Sequence, residues 1–302
     1  MDRLQHYRVF MRVVEAGSFT KAATTLNIPR STVSTVIGTL ESRLGVRLLH
    51  RTTRKVSPSQ DGLLFYDRCA RLLADSEELE TMFRADGEGP VGKLYVEMPG
   101  RIGRLIVAPV LAEFLERYPG INVQLGMTDR AVDLIGENVD LALRVGALPD
   151  SGLVARSLGN LPLINVASPD YLARHGTPIK PADLRQGHVA VCFASPTTGR
   201  PEVWEWEEGG VLRSLMLPAR ATVNGAEAYI ACCLAGLGLI QIPAYDVGGH
   251  LAAGELVEVM PQYRCPPMPL NLVFPHRRLL SRRVQIFAGW LEDVLASSLS
   301  IR

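Results

Sequence analysis

Apolar residues recur first at helical spacing: Leu4, Tyr7, Phe10, Met11 and Val14 fall at three- and four-residue steps and share one helix face. Gly17 ends that helix and Ser18 caps the next. Glycine takes the left-handed turn at a helix end, and a serine hydroxyl accepts a free backbone N–H at a helix start. The second helix covers about residues 18–26, and its small pair Ala22 and Ala23 lets another helix come close. The turn Asn27-Ile28-Pro29 leads into a third helix over residues 29–44, with proline at its first position. Val33, Ile37, Leu40 and Leu44 form its core stripe; Arg30, Ser31, Thr32, Ser34 and Thr35 form the opposite face. Gly45 ends it. Short strand-like stretches between Val46 and Val56 then flank a tip of Arg, Thr and Lys, the pattern of a basic β-hairpin wing.

Residues 59–88 read as one long helix. Phe65, Cys69, Leu72, Ser76, Leu79 and Phe83 alternate at four- and three-residue steps, a heptad seam too narrow to bury itself on a monomer. Phe65, Leu72, Leu79 and Phe83 are therefore expected to pair with a second copy, giving a homodimer; the alternative is a helix packed on its own domain. Asp86-Gly87-Glu88-Gly89-Pro90 reads as a hinge. Beyond it, strands alternate with helices: Lys93–Met98, a helix over Ile102–Tyr118, Asn122–Met127, a helix over Arg130–Asn138, and Leu141–Val145. A second set runs from Leu163–Ala167 to Gly238–Ile242, and the chain closes with Asn271–Phe274 and a helix over Ser281–Ala296. This alternation predicts a mostly parallel sheet covered by helices, in two lobes joined near Leu161 and Pro266. The expected divisions are 1–58 for the three helices and the wing, 59–89 for the linker helix and hinge, and 90–302 for the two-lobed domain. Its first lobe takes 90–161 and 267–302, and its second takes 162–266.

Charge sharpens the picture. Residues 1–58 carry a net +7 and the remainder −6, although the whole 302-residue chain sums to +1. A basic head on an acidic body is the footprint of a polyanion binder. The five cysteines are odd in number and lack CxxC spacing, and the six histidines lack metal-ligand spacing, so neither a metal nor a cofactor is expected. Gly236-Leu237-Gly238 follows a helix and precedes a strand, the reverse of a dinucleotide fingerprint. No catalytic motif appears, and an enzyme is not expected. Apolar runs fall far short of the ~20 residues of a membrane span, and the charged first twenty residues do not form a signal peptide. The reading is cytoplasmic.

The stretch Phe10…Glu15-Ala16-Gly17-Ser18-Phe19…Ala22-Ala23…Leu26…Val33-Ser34…Ile37…Leu40-Glu41…Leu44-Gly45-Val46…Leu48-Leu49-His50-Arg51-Thr52-Thr53-Arg54 resembles the LysR-type transcriptional regulators. Ala167-Ser168-Pro169-Asp170-Tyr171-Leu172 and Ala235-Gly236-Leu237-Gly238-Leu239 are similar to that family's effector-domain signatures. The resemblance implies a winged helix-turn-helix, a long linker helix and a periplasmic-binding-protein-like effector domain of two α/β subdomains, often assembled as a dimer of dimers. Where the family's recognition helix commonly opens Ser-Gln, this chain has Pro29-Arg30, and Thr35-Val36 replaces a basic residue and Gln. Many relatives carry Asn-Asp-Gly-Glu-Ala where Asn224-Gly225-Ala226-Glu227-Ala228 stands here.

The expected partners are double-stranded operator DNA, a small-molecule effector and the transcription machinery, with no membrane. Ser18, Thr20, Arg30, Ser31, Thr32, Ser34 and Thr35 are the expected helix contacts to DNA, and Arg51, Thr53, Arg54 and Lys55 the wing contacts. Arg30 suits either a guanine edge or a phosphate. For the effector, Pro99, Gly100, Arg101 and Ile102 join the first strand of the regulatory domain to its first helix. Thr128, Arg144, Gly146, Phe193 and Asn224 end other elements facing the same cleft. Free helix N-termini together with Arg101 would favour a carboxylate or another small anion. Two rivals remain: an architectural DNA binder without ligand response, and an enzyme fused to a DNA-binding head.

Overall fold

Three helices and a hairpin build the amino-terminal region, and local chemistry sets each boundary. Helix α1 (Arg3–Ala16) starts where the Asp2 side chain accepts the Gln5 N–H at 2.7 Å and stops at Gly17, whose φ of 58° suits glycine. Ser18 Oγ accepts the Lys21 N–H to open α2 (Phe19–Leu26), which Asn27 closes in the left-handed region. Helix α3 (Arg30–Leu44) ends at Gly45. Pro29 is its extended N-cap rather than its first helical residue. Val9, Phe10 and Val13 of α1, the Ala22–Ala23 pair, and Val33, Val36, Ile37 and Leu40 of α3 form the core. Leu44 falls on the expected arc yet is 40% exposed, so the buried stripe ends a turn short of the helix, and Val36 completes it instead. Strand β1 (Leu49–Arg51) pairs antiparallel with β2 (Val56–Pro58) as the stem of the wing.

The computed structural model describes residues 2–51, 56–81, 89–130, 133–134, 136–137, 139–148, 153–195, 199–275 and 280–299. Thr53, Arg54, Lys55 and Phe83 lie outside these residues. The chain divides into two compact units, Met1–Lys93 and Leu94–Arg302. Among the described residues, no helix is long and apolar enough to cross a membrane.

Helix α4 (Gln60–Thr81) belongs to the first unit. Ser59 Oγ accepts the Gly62 N–H at 2.9 Å and donates to the Arg47 carbonyl at 2.6 Å, tying the helix start to the hairpin. A Cβ on Gly62 would stand 1.9 Å from the Leu48 carbonyl oxygen, so only glycine fits this approach. The expected heptad seam is split. The Phe65 ring packs edge-on against Tyr7 and Phe10, with centroids 5.6 and 5.2 Å away, and Cys69 is buried. Leu72, two helical turns beyond Phe65 on the same stripe, is 46% exposed. The stripe is thus covered by its own unit at Phe65 and Cys69 and exposed at Leu72. Leu79 lies on α4 beyond it.

The second unit begins within β3 (Gly92–Met98). The expected continuous helix over 102–118 instead changes pitch: α5 (Gly100–Ile102), a π turn over Gly103–Val107, a 3-10 turn over Ala108–Val110, and α6 (Leu111–Arg117). Pro109 accounts for the break, because proline lacks an N–H and crowds the preceding turn. Strand β4 (Ile121–Met127) follows; where a helix over 130–138 was expected, the described residues 134, 136 and 137 form turns. Strands β5 (Leu141–Val145) and β6 (Val154–Leu161) complete the outward path.

The chain then builds its second lobe. Strand β7 (Leu163–Ala167) is followed by α7 (Pro169–His175), β8 (Ala190–Phe193), the hairpin β9 (Trp204–Glu208) and β10 (Val211–Leu215), and β11 (Ala219–Val223). Helix α8 (Ala226–Leu234), β12 (Ile240–Pro243), α9 (Ala244–Ala252) and β13 (Val257–Glu258) come next. The chain returns through β14 (Met268–Phe274) and ends in α10 (Arg282–Ser298). The first lobe's sheet has the order β4-β3-β5-β14-β6. It is mixed rather than mostly parallel: β3 runs parallel to β5, but β14 is antiparallel to both β5 and β6. The reason is the route. A chain that leaves through β6 at Leu161 and re-enters beside it at Met268 must run the opposite way. Leu94, Val96, Leu141, Leu143 and Leu272 pack with Phe287, Leu291 and Leu295 of α10, each fully buried side chain contributing about 1.5–3 kcal/mol. In the second lobe, Ile164, Val166, Ile230, Cys233, Ile240 and Val247 form the main core.

Candidate functional site

The first candidate surface is the outer face of α3. Four apolar side chains hold its inner face in the core, which obliges the residues between them to face outward. Arg30, Ser31, Ser34 and Thr35 are exposed, and Thr32 is half-buried. The Thr35 hydroxyl donates to the Ser31 carbonyl at 3.0 Å, leaving its oxygen lone pairs outward. Thr20 is exposed on α2, whereas the Ser18 oxygen is engaged as a helix cap. Arg51 ends β1 at the stem of the wing. Val36 is buried, so of the two residues at the family's basic-Gln positions only Thr35 faces outward.

The second candidate site is a cavity of about 780 Å³ within the second unit. That size suits a small organic molecule. Pro99, Arg101, Thr128, Arg144, Gly146 and Phe193 line it, as the sequence suggested. Gly100, Ile102 and Asn224 do not. Ile102 is fully buried in the first lobe's core, and Asn224 is exposed at the end of β11. Tyr229, Gln241, Tyr245, Asp246 and Met268 also line the cavity, residues that carry no motif and are brought there by distant strands and helices.

Arg101 is not the free cation expected. It is 5% exposed and fully engaged. Its Nε donates to Asp246 Oδ1 at 2.7 Å, its Nη1 to Glu227 Oε2 at 2.8 Å, and its Nη2 to the Asp246 carbonyl. Burial pushes the Asp246 carboxyl up to about 6 despite the opposing Arg101 guanidinium. Burial also acts to raise Glu227, but hydrogen bonds and charge from Arg104 and Arg101 hold it below the usual carboxylate range.

The helix N-termini expected to attract an effector anion are also occupied. Asp129 Oδ1 accepts the Gly100 N–H at 3.2 Å, and its Oδ2 accepts the Ala226 N–H at 2.9 Å. One carboxylate of the chain therefore caps the start of α5 in the first lobe and of α8 in the second. No local pattern could reveal this, because the partners lie 29 and 97 positions from Asp129.

Arg144 differs. It projects from β5, is half-buried, and its Nη2 is buried without a hydrogen-bond partner. Burial lowers its pKa, with Glu97 and Glu137 pulling the other way. Gln241, across the cavity, is fully engaged: its Nε2 donates to Asn165 Oδ1 and the Glu205 carbonyl, and its Oε1 accepts the Glu205 N–H.

Known proteins match both parts of the chain. The family model described as a bacterial regulatory helix-turn-helix protein, lysR family, matches residues 4–63, and the LysR substrate binding domain matches residues 87–296. The chain is 40% identical to YhjC, an HTH-type transcriptional regulator of Escherichia coli, over 98% of both chains. It is 37% identical to an HTH-type transcriptional repressor of Pseudomonas aeruginosa, covering all of this chain and 95% of that one. The solved structure of CrgA, a LysR-type transcriptional regulator from Neisseria meningitidis, aligns with a TM-score of 0.61 at 33% identity, covering 96% of this chain and 98% of that one. The chain belongs to the LysR family of transcriptional regulators, with a DNA-binding helix-turn-helix followed by an effector-binding domain.

Proposed function

We propose that the protein controls transcription from operator DNA through the outer face of α3, and that a small molecule in the 780 Å³ cavity changes the arrangement in which it binds. The observation carrying this reading is the division of α3. Val33, Val36, Ile37 and Leu40 anchor it, while Arg30, Ser31, Ser34 and Thr35 stand in solvent as a groove-sized polar face. Arg51, Arg54 and Lys55 of the wing contact phosphates, each adding about one unit to the salt dependence of binding. Residues 1–58 act as the reader, 59–89 as the linker, and 90–302 as the sensor.

The active form is a homodimer or homotetramer joined partly through Leu72 and the following turns of the linker helix, where Leu79 and Phe83 continue the stripe. Two copies match the paired half-sites that helix-turn-helix readers occupy. The protein acts in the cytoplasm, where operator and transcription machinery meet, and regulates rather than catalyses. An effector shifts the equilibrium only if it binds one arrangement better than the other.

Footprinting on the DNA upstream of the protein's own gene tests the reading. A protected segment that weakens with Arg30→Ala and Ser34→Ala supports it, and a ligand-dependent footprint supports the sensing half. Protection that is absent for the wild-type chain at low salt sinks it.

A further inference from the structure

The charged groups on the cavity wall differ in what already satisfies them. Each guanidinium nitrogen of Arg101 already donates to Asp246 or Glu227, and each Asp129 carboxylate oxygen accepts a backbone N–H. Arg130 pairs with Glu137 at 3.3 Å at the exposed edge. Arg144 lines the same cavity; its Nη2 has no hydrogen-bond partner, and Glu97 and Glu137 act on its charge only through space. Around it the wall is apolar, with Leu134, Leu148, Leu153 and Val273 from the first lobe and Phe193 and Ile242 from the second. A buried guanidinium nitrogen without an acceptor is costly, and a bound anion would offset that cost.

The second lobe contributes the opposite sign. Glu202 lines the cavity, and burial first and Glu205 second raise its pKa, so negative charge is already disfavoured at this wall. A ligand anionic at both ends would add a further negative charge there. One anionic group at Arg144 and an apolar body avoid that.

We propose that the effector is an organic monoanion with an apolar body, its anionic group held by Arg144 rather than by Arg101 or the helix N-termini, and its body lying on the leucine-rich wall. This rests on the effector-binding reading above. It narrows that reading to a ligand class and one anchoring residue. Arg144→Lys keeps the charge but loses the planar fork, and Arg144→Gln loses both.

The test uses the full-length protein and four probes: hexanoate, hexanamide, hexanedioate and phenylacetate. Binding is read by calorimetry and by the shift in melting temperature, which a ligand of the folded state raises. The expected result is that hexanoate or phenylacetate binds the wild type at least tenfold more tightly than hexanamide or hexanedioate. Arg144→Gln should lose that preference, and Arg144→Lys should keep part of it. The acid–amide comparison needs no variant, so it stands even if Arg144→Gln folds poorly. Equal binding of acid and amide, tighter binding of the diacid, undiminished acid binding by a folded Arg144→Gln chain, or no binding of either monoanion overturns the proposal. Operator footprinting of the same preparations separates the two levels. Intact footprints alongside any of these results leave the regulator reading standing, whereas a wild type that never protects DNA removes that reading independently.

Discussion

Arg101 Nε lies 2.7 Å from Asp246 Oδ1, joining the first helical turn of one lobe to α9 of the other, 145 positions away in the chain. Both side chains are almost wholly buried. Desolvating two charges costs several kcal/mol each, so the pair's net contribution is small even though its removal by halves is not. With Arg104 and Glu227 it forms a clasp across the effector-binding domain, and Asp129 adds a second tie between the same lobes.

Arg101→Met should therefore destabilise the second unit by about 3–5 kcal/mol, because Asp246 is left buried without its cation. Urea denaturation followed by tryptophan fluorescence reads this directly, since all three tryptophans lie in that unit. A loss below about 1 kcal/mol would mean that the clasp opens in solution.

Asp246 also predicts an unusual pH dependence. Burial, opposed by Arg101, pushes its carboxyl from 3.8 up to about 6 in the folded chain. A carboxyl raised on folding binds its proton more tightly in the folded state. Its contribution is most favourable below about pH 4, falls as pH rises from about 4 to 6, and is constant above. The stability difference between wild type and Asp246→Asn should fall across that window, by at most about 3 kcal/mol. A difference that rises with pH would reverse the assignment.

The helix boundaries of the first unit were legible because each depends on a neighbour or two. Gly17, Ser18 and Gly45 act within one turn of their own positions. The role of Arg101 was not legible, because a saturated arginine and a free one look alike until Asp246 and Glu227 are placed beside it. Strand β6 escaped notice because its surface alternates poorly, with Ala155, Arg156 and Ser157 all exposed. The segment around Leu134 resembles a helix in spacing, yet of its described residues Leu134 and Val139 are buried while Asp133, Gly136 and Glu137 are exposed. Sheet direction depends on where a chain returns, which periodicity does not encode.

The split stripe of α4 separates two effects that a heptad pattern merges. Phe65→Ala should lower the stability of the DNA-binding unit by about 3–5 kcal/mol through lost packing on Tyr7 and Phe10. Leu72→Glu should leave that unit folded, since Leu72 is exposed within its own chain, but shift sedimentation toward smaller species. If Leu72→Glu leaves the oligomeric mass unchanged at micromolar concentration, the linker helix does not carry the interface through this residue.

Three of the five cysteines, Cys69, Cys233 and Cys265, should be inert in the native protein. Burial pushes Cys69 and Cys233 up to about 12, and burial aided by Glu205 does the same for Cys265. At pH 8 each would hold over a thousandfold less thiolate than an ordinary cysteine with a pKa of about 8.5. Mass spectrometry after brief iodoacetamide treatment is expected to find these three unlabelled until the protein is unfolded. Native labelling at the unfolded rate would reopen a redox role.

Arg30 stands exposed at the first position of α3, where N-terminal residues of a recognition helix meet base edges. Two contacts are open to it, and they predict different measurements. A bidentate contact to guanine makes Arg30→Ala cost about 1–3 kcal/mol and relax specificity at one base pair, with little change in salt slope. A phosphate contact weakens all sequences alike and lowers the slope by about one. Because α3 exposes only short hydroxyl side chains besides Arg30 on its first two turns, the base contact is the expected outcome. Titrating wild type and Arg30→Ala against a set of single-base operator variants at three salt concentrations decides between them. A uniform loss with a shallower slope would move Arg30 to the backbone and leave base reading to Ser31, Ser34 and Thr35.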